Sequence, residues 1–167
     1  KLREDFRKRT AGRFADEVRD LLDRAKELDE RQQAIGKELN DEKATPKGGG
    51  LKPSGAAAEP KLTERVAEQQ QELAGVLDQA REITERAEGN EPLLTKQLYD
   101  AIRESSQNRT PQKLDMLRQM VQHGLNREAK EAEPKVRDDV GRLRERIEKA
   151  SQGVLGNDVE SLRRAKS

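Results

Sequence analysis

Few residues in this sequence have the side-chain chemistry and the spacing of a catalytic or metal-binding site. The chain has one histidine, His123, and no cysteine, and no nucleophile motif accompanies the histidine. Zinc sites of the usual kinds need several cysteine or histidine ligands and are therefore excluded. A Ser–His–Asp arrangement would depend on His123 alone. We interpret His123 as an ordinary surface or groove residue.

Two other features could bind phosphate or metal, but a structural interpretation accounts for both. Three consecutive glycines at 48–50 lie between prolines and not between a strand and a helix, so phosphate binding is not expected. Asp138 and Asp139 are adjacent carboxylates, but Arg137 and Arg142 flank them, as on a solvated helix face. The sequence thus predicts no catalytic, metal-binding or cofactor-binding residue, and we expect a protein that is not an enzyme.

The composition favours an elongated helical protein. Of the 167 residues, 40% are charged, 31% are hydrophobic and only 2% are aromatic. A compact globular domain usually contains more apolar residues, but the apolar residues here are periodic. We therefore expect narrow helical seams to form the core. With so few aromatic residues, an aromatic-lined pocket for a small-molecule substrate is not expected.

Two stretches carry the alternating three-four spacing of a coiled-coil seam. The first runs from Ala11 to Leu39 and the second from Leu62 to Ala87. Read in opposite directions, their layers pair at residue numbers that add up to 101, from Leu39 with Leu62 to Phe14 with Ala87. This pairing predicts an antiparallel helical hairpin.

The polar position of each seam falls opposite the polar position of the other, as Gln32 with Gln69. A buried polar layer fixes the register and orientation of helices at some cost in stability. In the alternative interpretation, both amides reach solvent at the edge of the seam. We predict the register-setting role and expect leucine at both positions to raise the thermal stability.

Residues beside the seam agree with this register. They place four pairs across it, three of them oppositely charged: Glu38 with Arg65, Arg31 with Glu72, Glu17 with Arg86, and Arg24 with Gln79. Each exposed ion pair contributes about 0–1 kcal/mol, so the pairs select the register more than they stabilise it. On the other flank Leu22 faces Leu77. Single surface leucines are common, but an opposed pair predicts that a third helix docks on this edge.

The C-terminal half predicts shorter helices. Starts are expected near Asn90 and at Thr110, where a proline follows in the first turn. Pro134 is expected to break or kink the chain, and Gly153 and Gly156 to end the helix that follows.

The predicted fold class is therefore all-α. It consists of a long antiparallel coiled-coil hairpin with a small C-terminal helical bundle packed at its open end. The hairpin occupies residues 1–89, with a flexible glycine- and proline-rich loop at 41–60, and the short-helix bundle occupies 90–167.

The charge balance argues against a nucleic-acid or membrane partner, because a net charge of +1 produces no global attractive field. One local basic excess stands at the start of the chain, at Arg3, Arg7, Lys8, Arg9 and Arg13. A solvated helix face accounts for it, and the alternative is a patch that docks an acidic partner or anionic lipid.

Because the chain opens and closes in helix-like sequence without an initial Met, we expect a piece of a longer protein.

Two segments resemble a known family. They are EPLLTKQLYD at 91–100 and VLGNDVESLRRAK at 154–166. Both are similar to segments of large, uncharacterised, helix-rich bacterial proteins that are anchored in the membrane upstream of a long soluble region. The resemblance covers the C-terminal half. It implies a scaffold associated with the bacterial cell envelope, and it carries over no catalytic residue.

Together these features predict a non-enzymatic interaction module of a larger helix-rich protein. Its partners would be another protein helix or flanking parts of the same protein. The alternative function is peripheral binding of anionic lipid or nucleic acid through the basic first turns. The flexible loop favours a monomer, although a domain-swapped dimer would use the same seam pairs.

Overall fold

The computed structural model describes residues 2–44 and 62–166, with side chains at 14–41 and 62–154. The five helices are α1 (Leu2–Ala44), α2 (Leu62–Ala87), α3 (Pro92–Gln107), α4 (Thr110–Gln122) and α5 (Asn126–Lys166). No strand occurs within the described ranges, and the all-α fold class is confirmed. The side chains of the basic residues near the start, and most of the predicted loop, lie outside what the structure describes.

Proline sets the starts of two helices. After α2 ends, the backbone N–H groups of Asn90 and Glu91 both donate to the carbonyl of Ala87, at 3.0 and 2.8 Å. Helix α3 then begins at Pro92, where the missing N–H costs no helical hydrogen bond. Helix α4 begins in the same way at Thr110, which confirms the expected start.

The expected break at Pro134 and the expected end at Gly153 and Gly156 are wrong, because α5 is continuous through all three residues. Pro134 is exposed on the surface of the bundle. Buried residues on both sides of it, such as Ala129 and Val136, pack into the core. Tertiary packing of this face outweighs the local preference of proline and glycine to interrupt a helix.

Helices α1 and α2 pack side by side in opposite directions. Contacts across the pair join Glu17 to Arg86, Arg24 to Gln79, Gln32 to Gln69, and Glu38 to Arg65. Residue numbers therefore rise along one helix as they fall along the other. The predicted Arg31–Glu72 pair is not formed. Instead, Glu72 pairs with Arg24 at 3.8 Å and Arg31 pairs with Glu27 at 4.0 Å.

The other helices complete a bundle with four members. Helices α3 and α4 follow one another along α2, and α5 returns beside α1, α3 and α4. Two contacts give the direction of α5 in each case, because its residue numbers fall as those of the other helix rise. Along α1 and then along α3 and α4, these contacts are Asp29–Arg144, Gln32–Glu133, Glu104–Arg146 and Lys113–Asp139. Helices α3 and α4 thus together form one member of the bundle, and each member is antiparallel to its two neighbours.

The C-terminal helices extend along α1 and α2, which differs from the small bundle expected at the open end. Glu133 of α5 lies beside Gln32 and Gly36, in the part of α1 farthest from the open end. The buried apolar residues of all five helices form one cluster, which includes Leu22 and Leu77. The division of the chain at residue 89 stays a prediction.

Replacement of Pro134 by alanine should stabilise the fold. Alanine supplies the backbone N–H that proline lacks in a helix interior, and the site is exposed, so we expect a gain of about 1–3 kcal/mol in the free energy of unfolding. Urea denaturation measures this gain, and Lys135→Ala next to it serves as the control. A loss of stability in Pro134→Ala would contradict this and would mean that proline at this position helps to seat Glu133.

Candidate functional site

The predicted polar layer lies in the interior of the bundle. Gln32 is 0% exposed and Gln69 is 1% exposed, so the interpretation in which both amides reach solvent is wrong. The Gln69 amide nitrogen donates to the side-chain oxygen of Gln32 at 3.2 Å and to the backbone carbonyl of Leu28 at 2.6 Å. The layer therefore links α1 to α2 by direct hydrogen bonds. Its role in setting the register stays a prediction.

A carboxylate from α5 completes this layer. The Gln32 amide nitrogen donates to Oε2 of Glu133 at 3.1 Å, and Glu133 is only 3% exposed. One turn further along α5, the guanidinium of Arg137 lies 3.7 Å from Oε1 of Glu133. A chain of hydrogen bonds thus runs from Gln69 through Gln32 to Glu133, and three helices share one buried polar layer.

Gly36 provides the space for this carboxylate. A Cβ atom at position 36 would lie 2.6 Å from Oε1 and 2.9 Å from Cδ of Glu133, closer than real contacts allow. Because the carboxylate is enclosed, a methyl group there would push it away from Gln32. The absence of a side chain at Gly36 therefore lets Glu133 reach its hydrogen-bond donor.

The carboxylate also changes the expected effect of leucine in the polar layer. With leucine at both Gln32 and Gln69, Glu133 would lose its amide donor while it stayed buried. Leaving one member of a buried polar pair without its partner is strongly destabilising. A test of the register-setting role by leucine at positions 32 and 69 therefore requires that Glu133 is replaced in the same chain.

Helix α5 contacts a second buried stripe of α1 at Asp29 and Gly36. Ala15, Leu22, Asp29 and Gly36 follow one another at intervals of seven residues, and all four are buried. Asp29 accepts a hydrogen bond from Arg144 of α5 at 2.8 Å, and Gly36 faces Glu133. Leu22 of the predicted docking edge belongs to this stripe, and the docking of a third helix at that edge stays a prediction. Leu77, its predicted counterpart on α2, is buried as well.

Sequence reasoning missed Glu133, Asp29 and Gly36, although a signal for each was present. The three-four spacing of α5 through Val140 and Val136 continues backwards to Glu133 and Ala129 when it is carried across Pro134. The seven-residue interval from Leu22 leads to Asp29 and then to Gly36. A search restricted to apolar residues stops before each of them.

Burial raises the pKa of the Glu133 carboxyl above its ordinary value of 4.5. Removal of the charged form from water is the largest cause. The hydrogen bond from Gln32 and the charge of Arg137 lower the pKa, but they offset the burial only in part, and the charge of Asp138 adds to the increase. By contrast, hydrogen bonds from Arg118 and Gln70 lower the pKa of Asp115, where α4 meets α2.

Two open grooves lie on the surface of the bundle. The first has a volume of about 300 Å³ and lies between α2 and α3, lined by Thr84, Thr95, Tyr99 and Ile102, with Arg81, Glu85 and Glu88. The second has a volume of about 370 Å³ and lies between α4 and α5, lined by Met116, Met120 and Ala132, with Lys113, Glu128, Glu131 and Lys135. Each has an apolar floor and a charged rim.

The residues considered first for chemistry do not come together. His123 is exposed at the end of α4. Asp139 accepts hydrogen bonds from Lys113 at 3.0 Å and Thr110 at 3.4 Å, while Asp138 is exposed. In the part of the chain that the structure describes, no three histidine, cysteine, aspartate or glutamate side chains are placed to hold a metal ion.

Comparison with models of known protein families, with curated proteins and with solved structures finds no match. The resemblance to membrane-anchored bacterial proteins therefore stays a prediction. None of the helices within the described ranges is long and apolar enough to cross a membrane. The geometry of the polar layer and of the grooves is what supports a functional proposal.

The effect of Gly36→Ala should depend on residue 133. In the otherwise unchanged chain, displacement of the carboxylate outweighs the gain in helix propensity of about 1 kcal/mol, so the variant is less stable. In a Glu133→Ala background only the gain in helix propensity remains. We therefore expect a coupling free energy between positions 36 and 133 of about 1–3 kcal/mol. Urea denaturation of the four chains measures it. Gly153→Ala is the control, because a Cβ there meets nothing within 4 Å and should stabilise both backgrounds.

The stability that Glu133 contributes should fall as the pH rises. Since its pKa is higher in the folded chain than in the unfolded chain, the folded chain binds the proton more tightly. The quantity to compare is the unfolding free energy of the unchanged chain minus that of Glu133→Gln. This difference should be constant below about pH 4.5, decrease as the pH rises through the raised pKa, and be constant again above it. Urea denaturation across this range measures the difference, with exposed Glu131→Gln as the control. A difference that does not change with pH would count against it.

Proposed function

We propose that this chain is a non-enzymatic interaction module of a larger helix-rich protein and acts as a scaffold through helix–helix contacts. In this proposal α1 and α2 form an antiparallel coiled-coil hairpin, on which α3, α4 and α5 are assembled. The observation that carries the proposal is the pair of open grooves with apolar floors at helix–helix junctions. Such grooves accept the apolar face of an amphipathic helix.

The groove between α2 and α3 has the composition of a protein contact site. Thr95, Tyr99 and Ile102 lie at helical spacing on one face of α3, and Thr84 faces them from α2. Tyr99 is 60% exposed. A tyrosine combines a large apolar ring with a polar hydroxyl, and for this reason it is enriched at interfaces. A partner helix would cover this ring and leave the charged rim in water.

The placement of the polar groups also favours a structural role over catalysis. Glu133, a buried carboxylate with a raised pKa, is enclosed by Gln32, Gly36 and Arg137. It lines neither groove. A general acid or base has to reach the substrate through a hydrogen bond or one water molecule. In this proposal the buried polar groups support the packing of the helices, and a partner binds at the surface grooves.

Site-specific cross-linking tests this function. A photoreactive residue placed at Tyr99 in the protein expressed in its own cells should form cross-links to a helical segment of a partner or of the same protein. The same residue at exposed Glu145 of α5 is the control. Equal cross-linking at the two positions would contradict the proposal. Salt-sensitive binding to anionic vesicles or DNA would favour the alternative.

A further inference from the structure

The groove between α4 and α5 has a flexible apolar floor. Met116 and Met120 of α4 lie on one side and Ala132 of α5 on the other. Met116 is 55% exposed, and Leu125 in the nearby turn is 45% exposed. Methionine side chains adapt their shape to an opposing surface, which suits them to a contact with another protein.

The charges on the rim of this groove are divided between its two ends. Since α4 and α5 are joined by a short turn and run in opposite directions, Lys113 and Lys135 both lie at the end away from the turn. Glu128 lies at the end next to the turn, and Glu131 lies near the middle. The groove therefore has a basic end and an acidic end.

We propose that a second copy of this chain docks on the α4–α5 groove about a two-fold axis. The axis lies in the plane of contact, at right angles to both helices, so the basic end of each copy meets the acidic end of the other. Lys135 of each copy then faces Glu128 of the other, and Met116 lies next to the axis. A two-fold contact must be complementary to itself. The two Lys135–Glu128 pairs meet this condition, and they outnumber the one contact between like charges, which brings Glu131 of the two copies together beside the axis.

Charge complementarity selects this arrangement over the other two-fold arrangement. An axis parallel to the helices would place α4 of each copy opposite α5 of the other, so that Lys135 would face Lys113, and like charges in contact are unfavourable. The net charge of +1 adds no general repulsion between copies. Helix α4 has 13 residues and is about 20 Å long, so the contact is smaller than a standard interface of about 800 Å² per partner. The dimer is consequently weak and depends on protein concentration.

This inference extends the proposed function by naming the partner of one groove, and charge exchange tests it. Glu128→Lys places two lysines opposite each other at both ends of the contact, and Lys135→Glu places two glutamates there. Each variant alone should weaken dimerisation by at least about tenfold. In an equimolar mixture of the two variants every lysine at positions 128 and 135 faces a glutamate, so a heterodimer should form with an affinity close to that of the unchanged chain.

Sedimentation equilibrium of the chain from about 10 μM to about 1 mM measures the association. The mean mass should rise from 18.9 kDa towards twice that value. Met116→Ser, which changes no charge, should weaken the dimer, and exposed Lys96→Glu on α3 should not. A chain that stays at 18.9 kDa throughout, or a mixture that associates no better than its components, overturns the dimer. Either result leaves cross-linking at Tyr99 unaffected, so the two proposals fail independently.

Discussion

The arrangement of α1, α2 and α5 depends on the burial of one carboxylate. Glu133 reaches Gln32 only because Gly36 has no side chain, and Gln32 in turn accepts a hydrogen bond from Gln69. Burial of a carboxylate carries a large desolvation cost, which hydrogen bonds offset only where their geometry is maintained. The hydrogen bonds of this layer are formed in the relative positions that the three helices have in the structure. We predict that the layer contributes more to selecting this arrangement than to the total stability.

The second stripe of α1 shows how that selection works. A displacement of α5 by seven residues along α1 would keep the helical faces in contact, because the stripe repeats at that interval. It would bring Glu133 to Asp29, where two carboxylates would meet, and it would remove Arg144 from Asp29. Like charges brought together in a buried site are costly. The apolar residues alone distinguish the two registers poorly, and this supports the predicted role of the polar residues in setting the register.

The difference between repeating patterns and individual polar contacts also explains which parts of the fold could be predicted from the sequence. The contacts of Gln32 with Gln69 and of Glu38 with Arg65 follow from two periodic seams that are read against each other. The site at Glu133 could not be predicted in that way, because its partner Gln32 lies 101 residues earlier in the chain. No local pattern relates two polar residues at that separation. The continuity of α5 through Pro134 likewise depends on packing against other helices, which outweighs a local signal that is correct for an isolated segment.

Rigid interior packing also bears on the surface grooves. With 40% of its residues charged, the chain has few large exposed apolar side chains in the part that the structure describes, namely Leu93, Tyr99, Met116 and Leu125. Tyr99 and Met116 each line a groove at a junction between two helices. Binding to a preformed groove costs less conformational entropy than binding to one that must be ordered on contact. The hydrogen bond from Gln32 to Glu133 joins α1 to α5, and α5 forms one wall of the α4–α5 groove, so the buried carboxylate supports a groove that it does not line.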